Sequence, residues 1–142
     1  MRFRRRAYLY ITRTEGRERQ LLVFAPVNVG HDWVSGEQVP GGTIEPGEDV
    51  DQAALREAFE ETGLRNFESA RYLIGDEFVG LEVRLERHFF QLELSEPAPR
   101  SWEHQVTAGT GDKGHIYRHY WVGLPEAEGL SEHFRAYLHL VE

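Results

Sequence analysis

The sequence predicts a single layered α/β domain built around a mixed sheet, and three observations carry that expectation. The chain has 142 residues, a length that suits one domain with a real core. Its composition, 40% hydrophobic and 12% aromatic, is that of a globular protein. Runs of β-forming residues flank two segments with helical periodicity, the pattern of helices packed on a sheet. No linker, internal repeat or low-complexity tract interrupts it.

The stretch AYLYITRTEGRERQLLVFAPV reads as two strands joined by a polar turn at Glu15 and Gly16, an antiparallel hairpin. Arg2 and Arg4 to Arg6 precede its apolar start, Ala7 to Ile11. That apolar run is too short for a signal-peptide core or a membrane span. The basic residues read as the solvated beginning of a strand, with a nucleic-acid-binding arm as the alternative. GHDWVSGEQVPGG follows, a short extended piece between turn formers. After a central helix come SARYLIGDEF and LEVRLERHFFQLELS, the second alternating apolar and charged residues as a half-buried strand does. Pro97 and Pro99 end it.

GTGDKGHIYRHYWVGL then gives a glycine-rich turn and a further strand. The turn lacks the P-loop spacing and no helix follows it. In GLSEHFRAYLHLVE, Ser131 is placed to cap a second helix whose stripe is Leu130, Phe134, Tyr137, Leu138 and Val141.

Composition narrows the function. A net charge of -8 opposes generic binding to nucleic acid or to an anionic membrane, both polyanions. Without cysteine there is no disulfide, thiolate zinc site or cysteine nucleophile, and the cytoplasm is the expected location.

The central helix is expected over Val50 to Thr62. Asp49 serves as N-cap with Gln52 completing a capping box, Asp51 suits the positive end of the dipole, and Gly63 fits a left-handed C′ position followed by Leu64. Ala54, Leu55, Ala58, Phe59 and Thr62 gather on the face expected to meet the sheet. Glu57, Glu60 and Glu61 fall on an adjoining arc, where like charges three and four apart cost a few tenths of a kcal/mol per pair. A hard divalent cation reverses that cost, because Mg²⁺ and Mn²⁺ take carboxylate and carbonyl oxygens and share positions with phosphates. Arg56 is placed to pair with Glu60 or Glu48. The alternative is a solvated acidic face.

Gly42, Glu48, Arg56, Glu57, Ala58, Glu60, Glu61, Gly63 and Leu64 fill every fixed position of G-x5-E-x7-R-E-U-x-E-E-x-G-U, U being aliphatic. On this motif the chain resembles the Nudix hydrolases, and the flanking VPGG and IEPGE resemble them too. The resemblance implies an α/β/α sandwich around a mixed sheet, and hydrolysis of a nucleoside diphosphate linked to another moiety with Mg²⁺ or Mn²⁺ as cofactor. It implies Glu57, Glu60 and Glu61 as metal ligands with the Gly41 carbonyl, and Arg56 with Glu48 as the pair bracing the site. Divalent ions would neutralise the pyrophosphate and lower the pKa of a bound water, and a carboxylate would act as base. Glu60 or Glu61 is the first candidate base; Glu103, ahead of the glycine-rich turn, is the second.

Substrate identity lies mostly outside the motif. Gly80 stands where ADP-ribose pyrophosphatases have a proline, no tyrosine occupies the window used by many diadenosine polyphosphate hydrolases, and the upstream pattern of coenzyme A pyrophosphatases is missing. Trp33, Gly41 and Gly42 are the candidates for touching substrate; Trp33, Trp102 and Trp121 each read first as packing, with base stacking as the alternative, for which Trp33, in the loop running into the motif, is best placed. His115 and His119 lie on a strand, too far apart for a shared zinc. Competing functions are a non-catalytic nucleotide sensor on the same fold and mRNA decapping. Isopentenyl diphosphate isomerisation is set aside, because it typically uses a cysteine. The expected partner is a small phosphorylated molecule, a nucleotide; dimers are frequent in the family, but no feature here encodes one.

Overall fold

A computed structural model describes residues 2–27, 37–108 and 113–142; Trp33 lies outside them. Strand β1 (Arg2–Glu15) turns at Gly16, whose φ is 62°, into β2 (Glu18–Pro26). A short β3 (Gly41–Thr43) leads to helix α1 (Val50–Thr62), then β4 (Phe67–Val79), β5 (Val83–Leu94), β6 (Ser101–Gln105) and β7 (Ile116–Gly123). The sheet order is β4-β5-β1-β2-β7-β6, with β3 paired to β1 off that path. β1 and β5 run parallel in unbroken register from Arg2↔Val83 to Thr12↔Glu93, and the other strand pairs are antiparallel. The mixed sheet is as expected.

Alternation along β1 splits the core. Ala7, Leu9 and Ile11 face α1 and meet Ala53, Ala54 and Ala58 with Leu22, Phe90 and Leu92. Tyr8 and Tyr10 face the opposite side, with Leu21, Val23 and Phe89. That second face is covered by a 3-10 turn (Leu124–Gly129), the single helical turn α2 (Glu132–Arg135) and a 3-10 turn (Leu138–Leu140). The α/β/α layering holds, but the expected C-terminal helix does not form as one unit. Ser131 makes no capping bond, and the chain winds so that Phe134, Tyr137, Leu138 and Val141 all reach the core. Tyr10 Oη donates to the Phe134 carbonyl at 2.6 Å and Tyr137 Oη to Asp76 at 2.5 Å, bonds that tie these turns down in place of a helical ladder. No helix among the described residues is long and apolar enough to cross a membrane.

Helix α1 has the expected bounds. Asp49 accepts from the Asp51 N–H at 2.8 Å, so its capping bond goes to Asp51, inside the position that a capping box with Gln52 requires. Gly63 has φ 81° and donates to the Phe59 carbonyl. The buried face differs from expectation: Leu55 and Phe59 are exposed at 43% and 40%, while Glu57 and Glu61 are buried beside Ala53, Ala54, Ala58 and Thr62. The alanines allow close approach to the sheet, and that rolls the acidic arc inward. Phe59 instead takes the Arg65 guanidinium over its ring, 4.1 Å from the centroid.

Candidate active site

Three adjoining segments build the site. Pairing of Ala7 with Gly42 and Tyr8 with Gly41 presses β3 against β1. No side chain fits there, since a Cβ on Gly41 would strike the Ala7 carbonyl oxygen and one on Gly42 would fall onto the Glu57 carboxylate. The Glu45–Glu48 turn, with Gly47 at φ 78°, is closed by Glu48 N–H donating to the Glu45 carbonyl at 3.0 Å. Glu45 N–H in turn donates to Glu48 Oε1 at 3.0 Å.

Arg56 organises the acids. It forks onto Glu48 through Nε and Nη2 at 2.8 and 2.9 Å, and Nη2 also donates to the Thr43 carbonyl at 3.0 Å. Its Nη1 donates to Glu57 at 2.9 Å and Glu60 at 3.0 Å. The guanidinium beside Glu48 holds that carboxyl below the usual glutamate range, and the Glu48 hydrogen bonds, followed by the charges of Glu57 and Glu60, raise the Arg56 pKa further. The brace between turn and helix is thus a charge-assisted fork, and one cation offsets the repulsion within the acidic arc.

The far end of α1 is held by side chains from β6 and β7. The ring nitrogens Nε2 of His104 and His119 lie 2.9 Å from the carbonyls of Glu60 and Glu61, and Trp102 Nε1 donates to the Thr62 carbonyl at 2.9 Å. These carbonyls belong to the last turn, which has no partners within the helix. A carbonyl only accepts, so both imidazoles carry the proton on Nε2. Burial pushes the His119 pKa down to about 4, leaving it neutral near pH 7. Trp102 stacks on His119 with centroids 5.3 Å apart. Nothing in the sequence signals this clamp: His119 reads there only against a zinc site shared with His115, His104 belongs to no motif, and Trp102 reads as packing or base stacking.

Glu57 and Glu61, buried at 7% and 4% exposure, open with Gly41 and Gly42 into a cavity of about 690 Å³. Phe24, Tyr117 and His115 form one wall, and Arg2, Arg4 and Arg6 another. Glu60 stands outside that lining, held by Arg56. Glu103 is paired with Arg118 on neighbouring strands at 2.7 Å, half exposed, and does not line the cavity. Trp121 lies under the Arg13 guanidinium, 4.2 Å from the ring centroid, and donates to the Pro99 carbonyl, so it packs. Among the described residues no three His, Asp or Glu side chains converge as a ready metal cage; three of the acids are turned to Arg56. The donor chemistry nevertheless fits a hard cation: the Glu57 and Glu61 carboxylates and the Gly41–Gly42 backbone line one cavity.

A mixed sheet between two helical layers, with a glycine strand pressed on an acid-bearing helix at the mouth of a cavity, defines the class of fold. The NUDIX domain model matches residues 2–140, and the chain belongs to that family. Among solved structures, a MutT NUDIX hydrolase from Burkholderia pseudomallei superposes with a TM-score of 0.70 over 100% of both chains at 18% identity. The NUDIX domain of Shewanella oneidensis NrtR, complexed with ADP ribose, has a TM-score of 0.70 at 14% identity, covering 99% of this chain and 86% of that one. The C. elegans Ap4A hydrolase has a TM-score of 0.63 at 19% identity, covering 98% and 93%. At these identities the likeness is one of fold. No curated protein matches the chain.

Proposed function

We propose that this chain is a divalent-metal-dependent pyrophosphohydrolase that cleaves a nucleoside diphosphate linked to another moiety. The observation that carries the reading is the pair of buried carboxylates, Glu57 and Glu61, opening beside Gly41 and Gly42 into one cavity. Two carboxylates side by side at one cavity offer a hard divalent cation the oxygen ligands it takes. Glu57, Glu60 and Glu61 would hold Mg²⁺ or Mn²⁺ with the Gly41 carbonyl. Bound there, the cation would offset the pyrophosphate's charge and make water a better nucleophile near neutral pH.

The chain's own groups do the rest. Arg56 and Glu48 fix the turn against the helix, and His104, His119 and Trp102 fix the helix end, so the carboxylates are set before substrate arrives. Glu61 is the base of choice because its carboxylate lines the cavity, whereas Glu60 is engaged by Arg56. As water attacks one phosphorus, the bridging oxygen leaves with the other phosphate, and the water's proton passes to the base. The substrate is a small phosphorylated molecule met in the cytoplasm.

The test is phosphate release from nucleoside triphosphates, oxidised nucleotides, nucleotide sugars, ADP-ribose and dinucleoside polyphosphates with Mg²⁺ or Mn²⁺, adding phosphatase to expose pyrophosphate cleavage products. Metal-dependent turnover that disappears in Glu61→Gln supports the proposal. Silence across the panel, with nucleotide binding intact, would replace it with a non-catalytic sensor.

A further inference from the structure

The basic start of β1 is unused by the reaction described above. Arg2, Arg4 and Arg6 occupy alternate positions on one strand face, and all three line the cavity into which Glu57 and Glu61 open. At a strand rise of about 3.3 Å per residue, the row extends about 13 Å along that wall. Arg6 is nearest the acids, because it pairs with Thr43 next to Gly42.

The neighbours of these arginines separate them from ordinary surface charge. Arg5, on the opposite face, has Glu86 as its β5 partner and bonds it at 2.8 Å. The β5 partners of Arg2 and Arg4 are Val83 and Leu85, apolar residues lining the same cavity. Among the described residues Arg2 and Arg4 form no ion pair. The Arg6 partner is Arg87, whose charge is spent on Asp76, while Arg6 itself lies over the Tyr8 ring, 5.9 Å from the centroid. Glu82 at the far mouth and Glu45 near the turn are the cavity's other acids. In a chain of net charge -8, three arginines with no ion pair among the described residues thus stand together on one wall of one cleft. Guanidinium forks fit phosphate oxygens in two-point contacts, and the three arginines stand on the β1 side of the cavity, in line with one another.

We propose that Arg2, Arg4 and Arg6 form an anion track that takes the additional phosphates of a substrate whose chain has three or more, favouring it over a diphosphate joined to a neutral group. This rests on the hydrolase reading given above. Seated with the bond to be cut at the Glu57 and Glu61 end, a longer phosphate chain would run along β1, whereas a neutral sugar would leave the arginines solvated.

Two measurements test it. In the first, kcat/KM is compared for a nucleoside triphosphate, a 5′-triphosphorylated oligonucleotide and a nucleotide sugar, in the parent and in Arg4→Ala and Arg2→Ala/Arg4→Ala. The ratio of either triphosphate to the nucleotide sugar should fall about tenfold for Arg4→Ala, the worth of one charge-assisted contact, and its dependence on salt should flatten. The triphosphate with the higher kcat/KM in the parent identifies the source of the chain. An unchanged ratio in the double variant would overturn the proposal. The second measurement is calorimetric binding of inorganic tripolyphosphate with EDTA present, which needs no turnover. Binding by the parent that weakens about tenfold in Arg4→Ala supports the track even if nothing is hydrolysed, a result that would sink the hydrolase alone. Equal binding by parent and variants, or none by the parent, would refute the track.

Discussion

Replacing Arg56 with alanine removes every bond of the brace at once. Two of the five bonds tie the helix to the turn at Glu48, one ties it to β3 at the Thr43 carbonyl, and two go to Glu57 and Glu60. Side-chain exposure is 29% for Arg56 and 17% for Glu48, so the pair lies between exposed ion pairs, worth under about 1 kcal/mol, and buried ones, costing about 3–5 kcal/mol to break. The expected loss is about 2–3 kcal/mol, a fall in Tm of about 5–10 °C for a domain of this size. Thermal unfolding in EDTA at pH 7 measures it. The loss should also depend on pH. The Glu48 carboxyl is held below its ordinary value of 4.5 in the folded chain. Its stabilisation is therefore complete above that pH and vanishes as pH falls through the lower folded value. The gap between parent and Arg56→Ala should narrow below about pH 4. Equal Tm values at pH 7, or a gap unchanged down to pH 3, would refute the brace.

Other outcomes follow from the same geometry. Glu60→Gln and Glu61→Gln should each abolish most turnover with the fold intact by circular dichroism; full activity in both would remove the metal role of the acids. Gly42→Ala places a methyl on the Glu57 carboxylate and should lower turnover by more than tenfold, a packing conflict of about 1–3 kcal/mol; parent-like kinetics would show that Glu57 has other room. Imidazole NMR should find His119 protonated on Nε2 and not titrating near 6.5, its pKa being about 4. The unfolded chain binds that proton first, so stability contributed by neutral His119 declines as pH falls from about 6.5 to 4, by ~3 kcal/mol in all. Mg²⁺ or Mn²⁺ at a hundred times its Kd should add about 2.7 kcal/mol of stability, and less in Glu61→Gln.

Helix α1 was legible to the residue because its ends carry local chemistry: Asp49 caps and Gly63 takes the left-handed turn. Its rotation was not. Periodicity placed Leu55 and Phe59 inward, yet the residues that decide the contact are Ala53, Ala54 and Ala58, small enough to bring the helix onto β1. Hydrophobicity ranks leucine above alanine, whereas close packing reverses the order. The Glu48–Arg56 pairing was readable from the motif, but the carbonyl clamp of His104, His119 and Trp102 bonds residues 40 to 58 apart in sequence and leaves no local signal. The C-terminal segment misled because a stripe at helical spacing also suits short turns that press each apolar side chain onto a curved surface. The alternation of Arg2, Arg4 and Arg6 was visible, but the identity of their β5 neighbours, which leaves them unpaired, required the register.

The parallel seam between β1 and β5 bears on how the molecule comes into being. Arg5 and Glu86, bonded across it, are 81 residues apart in sequence. During synthesis β1 can form its hairpin with β2 at once, but the edge that receives β5 stays open until more than half the chain has followed. Such long-range pairing slows folding and leaves a strand exposed to wrong partners meanwhile. The arginines at the start of β1 keep that waiting edge charged, and charge on an open edge discourages self-association. The same residues that line the finished cavity would thus act as gatekeepers for the nascent chain.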